Sequence, residues 1–292
     1  MLRAGSMLAC LVVASCAGRS ERPPTNANAK PPAAAKGTES SALAAYRRAC
    51  DLGSARGCND LGVAYLDGDG VPKNEGRAIP LLRRSCEMAL PMGCANLAHA
   101  LANGLGTEPD PGAAARHYSD ACTGGVGWAC GALADMVMAE SAEKRNLPRA
   151  ADLYSQGCEG QHTDSCVGLA LLLEDGEGVD KNEARAFELY EKTCDLGSAA
   201  GCVGAGRLRL DGRGTSVNVA AALERFKKGC DLDPASGCYV YGVILLRGNG
   251  VRPDPGRAKQ LLRGACNQGH AEACAELGDL LDERRGTAPM ET

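Results

Sequence analysis

The nine residues CDLGSARGC at 50–58 return almost unchanged as CDLGSAAGC at 194–202. A stretch this specific, met twice, is either a site used twice or one unit of a repeat. The remaining cysteines decide between the two. Seven stand at 50, 86, 122, 158, 194, 230 and 266, and seven more at 58, 94, 130, 166, 202, 238 and 274. Each series advances by 36 residues, and every pair is C-x7-C. A period between about 20 and 50 residues held through many copies is the signature of a solenoid. The near-identical loops belong to the first and fifth of seven copies, four periods apart.

The same register holds outside the cysteines. Counted from 39, 75, 111, 147, 183, 219 and 255, the fourth residue is always alanine: Ala42, Ala78, Ala114, Ala150, Ala186, Ala222 and Ala258. Four residues on come Tyr46, Leu82, Tyr118, Tyr154, Tyr190, Phe226 and Leu262, and the first cysteine follows four further. That spacing puts all three on one helical face. Beyond the second cysteine come Leu61, Leu97, Leu133, Leu169, Ala205, Tyr241 and Leu277, each followed by glycine or alanine, which lets helices approach closely. The stretches DGDG, NGLG, DGEG, DGRG and RGNG then supply glycines able to end a helix in the left-handed conformation. Asn74, Asp110, Asn146, Asn182, Asn218 and Asp254 sit where the next helix needs an N-cap. Each repeat is therefore expected to be two helices and two turns. The repeats are 39–74, 75–110, 111–146, 147–182, 183–218, 219–254 and 255–290, with helical repeat structure over 39–284 and a tail at 285–292.

Geometry places the cysteines within this plan. Residues eight apart on one continuous helix are about 12 Å apart, whereas a disulfide holds its Cα atoms roughly 4.4–6.8 Å apart. A bridge across C-x7-C therefore requires the chain to double back. One cysteine ends a helix, the other begins the next, and DLGSARG is the reversing loop. Aromatic residues are only 3% of the chain, so the core must come from Ala, Leu, Val and Gly, which suits closely packed helices. Closing so short a loop adds about 2.5 kcal/mol by the chain-entropy relation.

The N-terminus speaks to the compartment. MLRAGSMLACLVVASC carries Arg3, then an apolar run from Met7 to Ala14 that is far too short to span a bilayer and ends in small residues. The ending VASC resembles a bacterial lipobox, so residues 1–15 are expected to be a lipoprotein signal peptide and Cys16 the lipidated residue. Ala17 after it resembles the outer-membrane sorting pattern of enterobacteria. Residues 16–38, rich in Pro and Ala, read as the lipidated cysteine and a flexible tether. The expected location is the bacterial envelope, lipid-anchored, at the outer membrane facing the periplasm or at the cell surface. An exported chain with even cysteine pairs points to disulfides. Contact with the membrane is through the lipid anchor alone, and a net charge of −4 gives no attraction to nucleic acid.

These features resemble Sel1-like repeats, relatives of the tetratricopeptide repeat, through CNDLGVAYLDGDGV at 58–71 and A…LLRRSC at 78–86. The 36-residue length with C-x7-C throughout is similar to the Helicobacter cysteine-rich proteins. The resemblance implies an all-α, right-handed α/α solenoid of seven helix hairpins, each clamped by a disulfide, with a concave groove. Carried onto this chain, the bridges join Cys50 to Cys58, Cys86 to Cys94, Cys122 to Cys130 and Cys158 to Cys166. Cys194 would likewise join Cys202, Cys230 would join Cys238, and Cys266 would join Cys274. Members are exported or organellar binding scaffolds; some carry a β-lactamase label, and a mitochondrial relative assists cytochrome oxidase assembly. The third repeat departs: it ends MVMAESAEKRN without the helix-ending glycines, so either its second helix runs longer or its turn differs.

Catalytic signatures are thin. The four histidines follow no period, and no short C-x2–4-C pair suggests zinc; no metal or cofactor is expected. There is no C-x-x-C redox motif. Ser141 and Lys144 form one S-x-x-K at about the chance rate, without S-D-N or K-T-G. No catalytic residues are assigned. The alternatives to binding are a weak hydrolase of the β-lactamase-labelled kind and a redox-linked assembly factor. In related repeats the helix carrying "LG" lines the concave groove. Carried over, the groove positions include Asn59, Val63, Asn96, His99, Trp128, Asp135, Val167, Leu171, Arg207, Tyr239 and Val243. Their mixed character suits a protein, peptide or envelope polymer. Trp128, Arg207 and Tyr239 are of the types that anchor interfaces.

Overall fold

The computed structural model describes residues 41–142, 144–248 and 250–286, with side chains through 282. The signal segment, Cys16 and the tether lie outside the described residues. Fourteen helices and no strand occur among those described. Each repeat supplies two of them. They are α1 (Ser41–Asp51), α2 (Ala55–Asp67), α3 (Glu75–Glu87), α4 (Pro91–Asn103), α5 (Pro111–Thr123), α6 (Gly127–Met138) and α7 (Leu147–Glu159). α8 (Thr163–Asp175), α9 (Glu183–Asp195), α10 (Ala199–Asp211), α11 (Val219–Leu232), α12 (Ser236–Arg247), α13 (Pro255–Asn267) and α14 (Ala271–Gly286) complete the series. The chain forms two compact bodies, one through Ser165 and one from Cys166.

Local chemistry sets the helix ends. All six expected N-caps accept a hydrogen bond from the backbone N–H three residues on, at 2.8–3.1 Å. Each such cap is worth about 1 kcal/mol. Ser54 and Ser198, the serines of the two DLGS loops, cap the second helices through Gly57 N–H and Gly201 N–H, both at 3.2 Å. Gly68, Gly104, Gly212 and Gly248 end α2, α4, α10 and α12 in the left-handed conformation. The third repeat resolves as a different turn. α6 stops at Met138, one residue shorter than α4, and Ala139 stays right-handed at φ −76°.

The elbows are clamped as the spacing requires. All fourteen repeat cysteines are disulfide-bonded, Cys158 and Cys166 among them. The bridges Cys50–Cys58, Cys86–Cys94 and Cys122–Cys130 hold their Cα atoms 4.4–4.7 Å apart. Cys194–Cys202, Cys230–Cys238 and Cys266–Cys274 hold theirs 4.2–4.7 Å apart. The third residue after the first cysteine takes a left-handed φ, +88° at Gly53 and +93° at Gly197, which glycine adopts without steric cost. Ala89 and Gln161 hold the same position at +58° and +62°. The sixth elbow, DLDPASG, turns otherwise: Asp233 has φ −130°, and its carboxylate accepts from Ala235 N–H and Ser236 N–H at 3.0 Å.

Within each body the second helix of one repeat packs on the first helix of the next. The recurring small residues permit this approach: a methyl group at Gly62 would lie 2.9 Å from Leu82. The recurring alanines from Ala78 to Ala258 are completely buried, and Leu82, Phe226 and Leu262 with them. In the first repeat, where no described hairpin precedes, Ala42 is exposed and Tyr46 is 38% exposed. The recurring residues are thus buried by the neighbouring repeat more than by their own.

Candidate binding face

Second helices of adjacent repeats touch directly, α2 with α4 and α10 with α12. The residues that vary between repeats are thereby set beside one another. In the first body, Asn59 of α2 and Asn96 of α4 are both buried. Asn96 Nδ2 donates to Asn59 Oδ1 at 2.8 Å, and Asn59 Nδ2 donates to Asp60 Oδ1 at 3.0 Å. One hydrogen bond therefore ties the two repeats together, and the Asp60 carboxylate takes the other end of Asn59. Val63 is half-buried beside them in sequence.

His99 and Trp128 are half-buried and meet edge to face across α4 and α6, with ring centroids 6.5 Å apart. Tyr118 of α5 adds a second edge contact to Trp128 at 5.9 Å. Such pairs contribute about 0.5–1.5 kcal/mol beyond area burial. Burial holds the Tyr118 hydroxyl far above its ordinary range, so it remains a neutral phenol. Trp128 Nε1 is buried and finds no acceptor among the described residues. Asp135, two turns after Trp128 on α6, is exposed, yet its oxygen Oδ1 accepts from Tyr154 OH at 2.6 Å. Lost hydration raises its carboxyl above the usual range, the Tyr154 hydrogen bond opposing and Asp164 adding to the rise.

The second body uses the equivalent positions differently. Val167 and Val243 are buried in the apolar core, and Leu171 is half-buried. Tyr239 is buried and stacks on His270 at 4.4 Å and 25°. Burial pushes its hydroxyl up, with Glu276 acting in the same direction. Arg207 is buried and forms a two-pronged pair with Glu174 of α8, both contacts at 2.5 Å. Arg213 Nη1 donates to the same carboxylate at 2.7 Å, and Tyr190 OH donates to it at 3.3 Å. Burial works most strongly against the Arg207 charge, but the hydrogen bonds and charge of Glu174, with smaller help from Tyr190 and Asp211, together outweigh it and hold the guanidinium above its ordinary range. Burial raises the Tyr190 hydroxyl strongly, as does the nearby Glu174 carboxylate.

Glu174, Arg213 and Tyr190 were not among the expected groove positions. A signal for Glu174 does exist in the repeat. Its slot, eight residues after the second cysteine, holds an exposed acid, Asp282, in the last repeat and Leu66, Ala102, Met138, Leu210 and Leu246 in the five others. An acid standing where these are apolar needs a buried cation, and Arg207, 33 residues on, supplies it.

Ser141 and Lys144 lie exposed in the turn after α6, where Lys144 N–H donates to the Ser141 carbonyl at 2.9 Å. An exposed serine beside an exposed lysine lacks the desolvation that would activate it as a nucleophile. Among the described residues no group of three or more His, Cys, Asp or Glu could hold a metal ion, and no helix is long and apolar enough to cross a membrane.

Stacked helix hairpins with disulfide-bonded elbows define an α/α repeat protein, and so many bridges point to an oxidising, exported environment, since disulfides are rare in reducing compartments. The sequence matches the Sel1 repeat at 55–90, 91–126, 163–198, 199–234 and 235–270, more than half of the chain, and the chain belongs to that family. The unmatched stretch between 126 and 163 begins with α6 and its atypical turn. A comparison with curated proteins finds no match. Among solved structures, a protective antigen of uropathogenic Escherichia coli is 23% identical with a TM-score of 0.67, covering 81% of this chain and 51% of its own. This chain therefore spans about half the length of that antigen. A Sel1 repeat protein from Oxalobacter formigenes is 17% identical with a TM-score of 0.66, covering 78% and 97%. Helicobacter pylori cysteine rich protein B is 27% identical over 42% of this chain and 88% of its own, at a TM-score of 0.35, a likeness too local to bear on the fold.

Proposed function

We propose that the chain is a noncatalytic binding scaffold of the bacterial envelope. It recognises a protein, peptide or envelope polymer through second-helix side chains that differ from repeat to repeat. Sel1 repeat solenoids typically serve as protein-interaction scaffolds, and one observation carries the proposal here. The recurring residues are consumed by stacking and disulfides, whereas His99, Trp128 and Asp135 stand on adjoining second helices with surface open to solvent. Lipidation at Cys16 would hold this face in the envelope at the end of the Pro- and Ala-rich tether.

Photo-crosslinking tests this. A photoreactive residue at 99 or 135 is expected to capture one predominant envelope species, and Trp128→Ala is expected to abolish the capture. The same probe at Arg116 or Glu188, on first helices, should capture none. Equal capture from both kinds of helix would overturn the assignment. Turnover of nitrocefin by the oxidised protein, lost on Ser141→Ala, would instead make the chain a hydrolase.

A further inference from the structure

The bridges share one chemistry but differ in cover. Each described bridge joins the end of one helix to the start of the next, so the helix-end fields on the two sulfurs are alike from repeat to repeat. Cys50, Cys58, Cys194 and Cys202 are at most 1% exposed. Cys130, Cys158, Cys166, Cys230 and Cys238 are only 2–9% exposed. In four repeats a side chain of the following hairpin lies against the first sulfur. These are Arg84 on Cys50, His117 on Cys86, Gln156 on Cys122 and Arg225 on Cys194, at 3.5–4.0 Å. Cys266 is half-buried and Cys274 is exposed. Of the other repeat cysteines, only Cys86 is less than fully buried, and its partner Cys94 is 5% exposed.

We propose that Cys266–Cys274 is a thiol–disulfide exchange site open to an external thiol, while the other bridges are structural. Exchange requires a thiolate to reach a disulfide sulfur, so access decides among otherwise similar bridges. The external thiolate attacks the exposed Cys274 sulfur, the S–S bond breaks, and Cys266 leaves as a thiolate that takes a proton from water. A second external thiolate attacks the external sulfur of the mixed disulfide, releasing Cys274, which is protonated in turn. Two external thiols are oxidised to one disulfide, and the protein bridge gains the two electrons. The elbow between α13 and α14 then loses its clamp while the remaining elbows keep theirs.

The test uses the full oxidised chain with reduced glutathione, quenched at intervals with N-ethylmaleimide and mapped by mass spectrometry. Cys266 and Cys274 are expected to be labelled about tenfold faster than any other pair, with Cys86 and Cys94 next. Even labelling across the repeats, or Cys86 and Cys94 leading, would overturn the proposal. Helical circular dichroism should hold while the first pair is labelled; its loss in step with labelling would show reduction through unfolding and would also overturn it. As a second measurement, Cys266→Ser should form a mixed disulfide at Cys274 with oxidised glutathione, seen as an intact-mass adduct. A folded variant without the adduct would contradict access at Cys274.

Discussion

The two bodies are built from one repeat yet handle the polar residues of their second helices in opposite ways. In residues 41–165 adjacent second helices meet through an amide pair at Asn59 and Asn96 and an edge-to-face contact between His99 and Trp128, while the acids that join them, Asp60 and Asp135, are not buried. In residues 166–286 the charge has moved inside, where Glu174 is 1% exposed and shared by Arg207 and Arg213. The elbows differ too, since among the described residues both non-glycine positions with left-handed φ, Ala89 and Gln161, fall in the first body. The comparison teaches that variation between repeats is not itself the mark of a binding surface. In the second body much of it is consumed by packing.

The sharpest way to break this contrast is to remove the buried acid. Glu174→Leu leaves Arg207 buried without its partner, and a loss of about 3–5 kcal/mol in urea denaturation is expected. Glu174→Leu combined with Arg207→Leu should recover most of that loss, because apolar side chains then replace both charges. A double variant as unstable as the single one would mean that Arg207 contributes on its own. In the first body the matching change is milder. Asn59→Ala strands the Asn96 amide without its acceptor, and about 1–3 kcal/mol should be lost. Equal losses from the two substitutions would erase the distinction between neutral and ionic pairing.

The elbows sharpen the comparison at smaller scale. Ala89→Gly and Gln161→Gly are expected to stabilise the chain by roughly 0.5–1 kcal/mol each, by removing a left-handed Cβ clash. Gly53→Ala and Gly197→Ala should move the melting temperature the other way. No gain at 89 or 161 would show that the first body carries no elbow strain.

The smallest expected effect is a pH slope in the first body. Burial holds the His162 imidazole below its ordinary range, with Asp164 at 3.9 Å acting against the shift. The folded chain therefore prefers neutral His162, and the unfolded chain binds the proton first as pH falls. Stability from this group is complete above about pH 6.5 and is lost as pH drops through the lowered folded value. His162→Gln should flatten the fall of stability below that pH, read as denaturation midpoints against pH. An unchanged slope would assign the acid sensitivity elsewhere, first to His117, which burial also lowers.

Much of the fold was legible because stacking makes the same demand 36 residues apart. The alanines, the large apolar residues, the N-caps and the paired cysteines all recur at their expected places. The reversing loop was legible as well, and the structure adds why serine and glycine stand in DLGS: Ser54 caps α2, and Gly53 takes φ +88°. The face was less legible. Periodicity placed Arg207 and Val243 on second helices, but burial there depends on what the next repeat brings, and Glu174 belongs to a different repeat. Trp128 precedes its cysteine and has no counterpart in other repeats, so its contacts with His99 and Tyr118 carried no periodic signal.

The central claim is that each repeat is a helix hairpin closed by its own disulfide, which frees the varying side chains for recognition. Peptide mapping of the purified chain after alkylation in denaturant without reductant tests it most directly. The account predicts no alkylated cysteine among positions 50 to 274, and every linked pair joining a cysteine to the one eight residues later. Several free thiols, or links between different repeats, would contradict it.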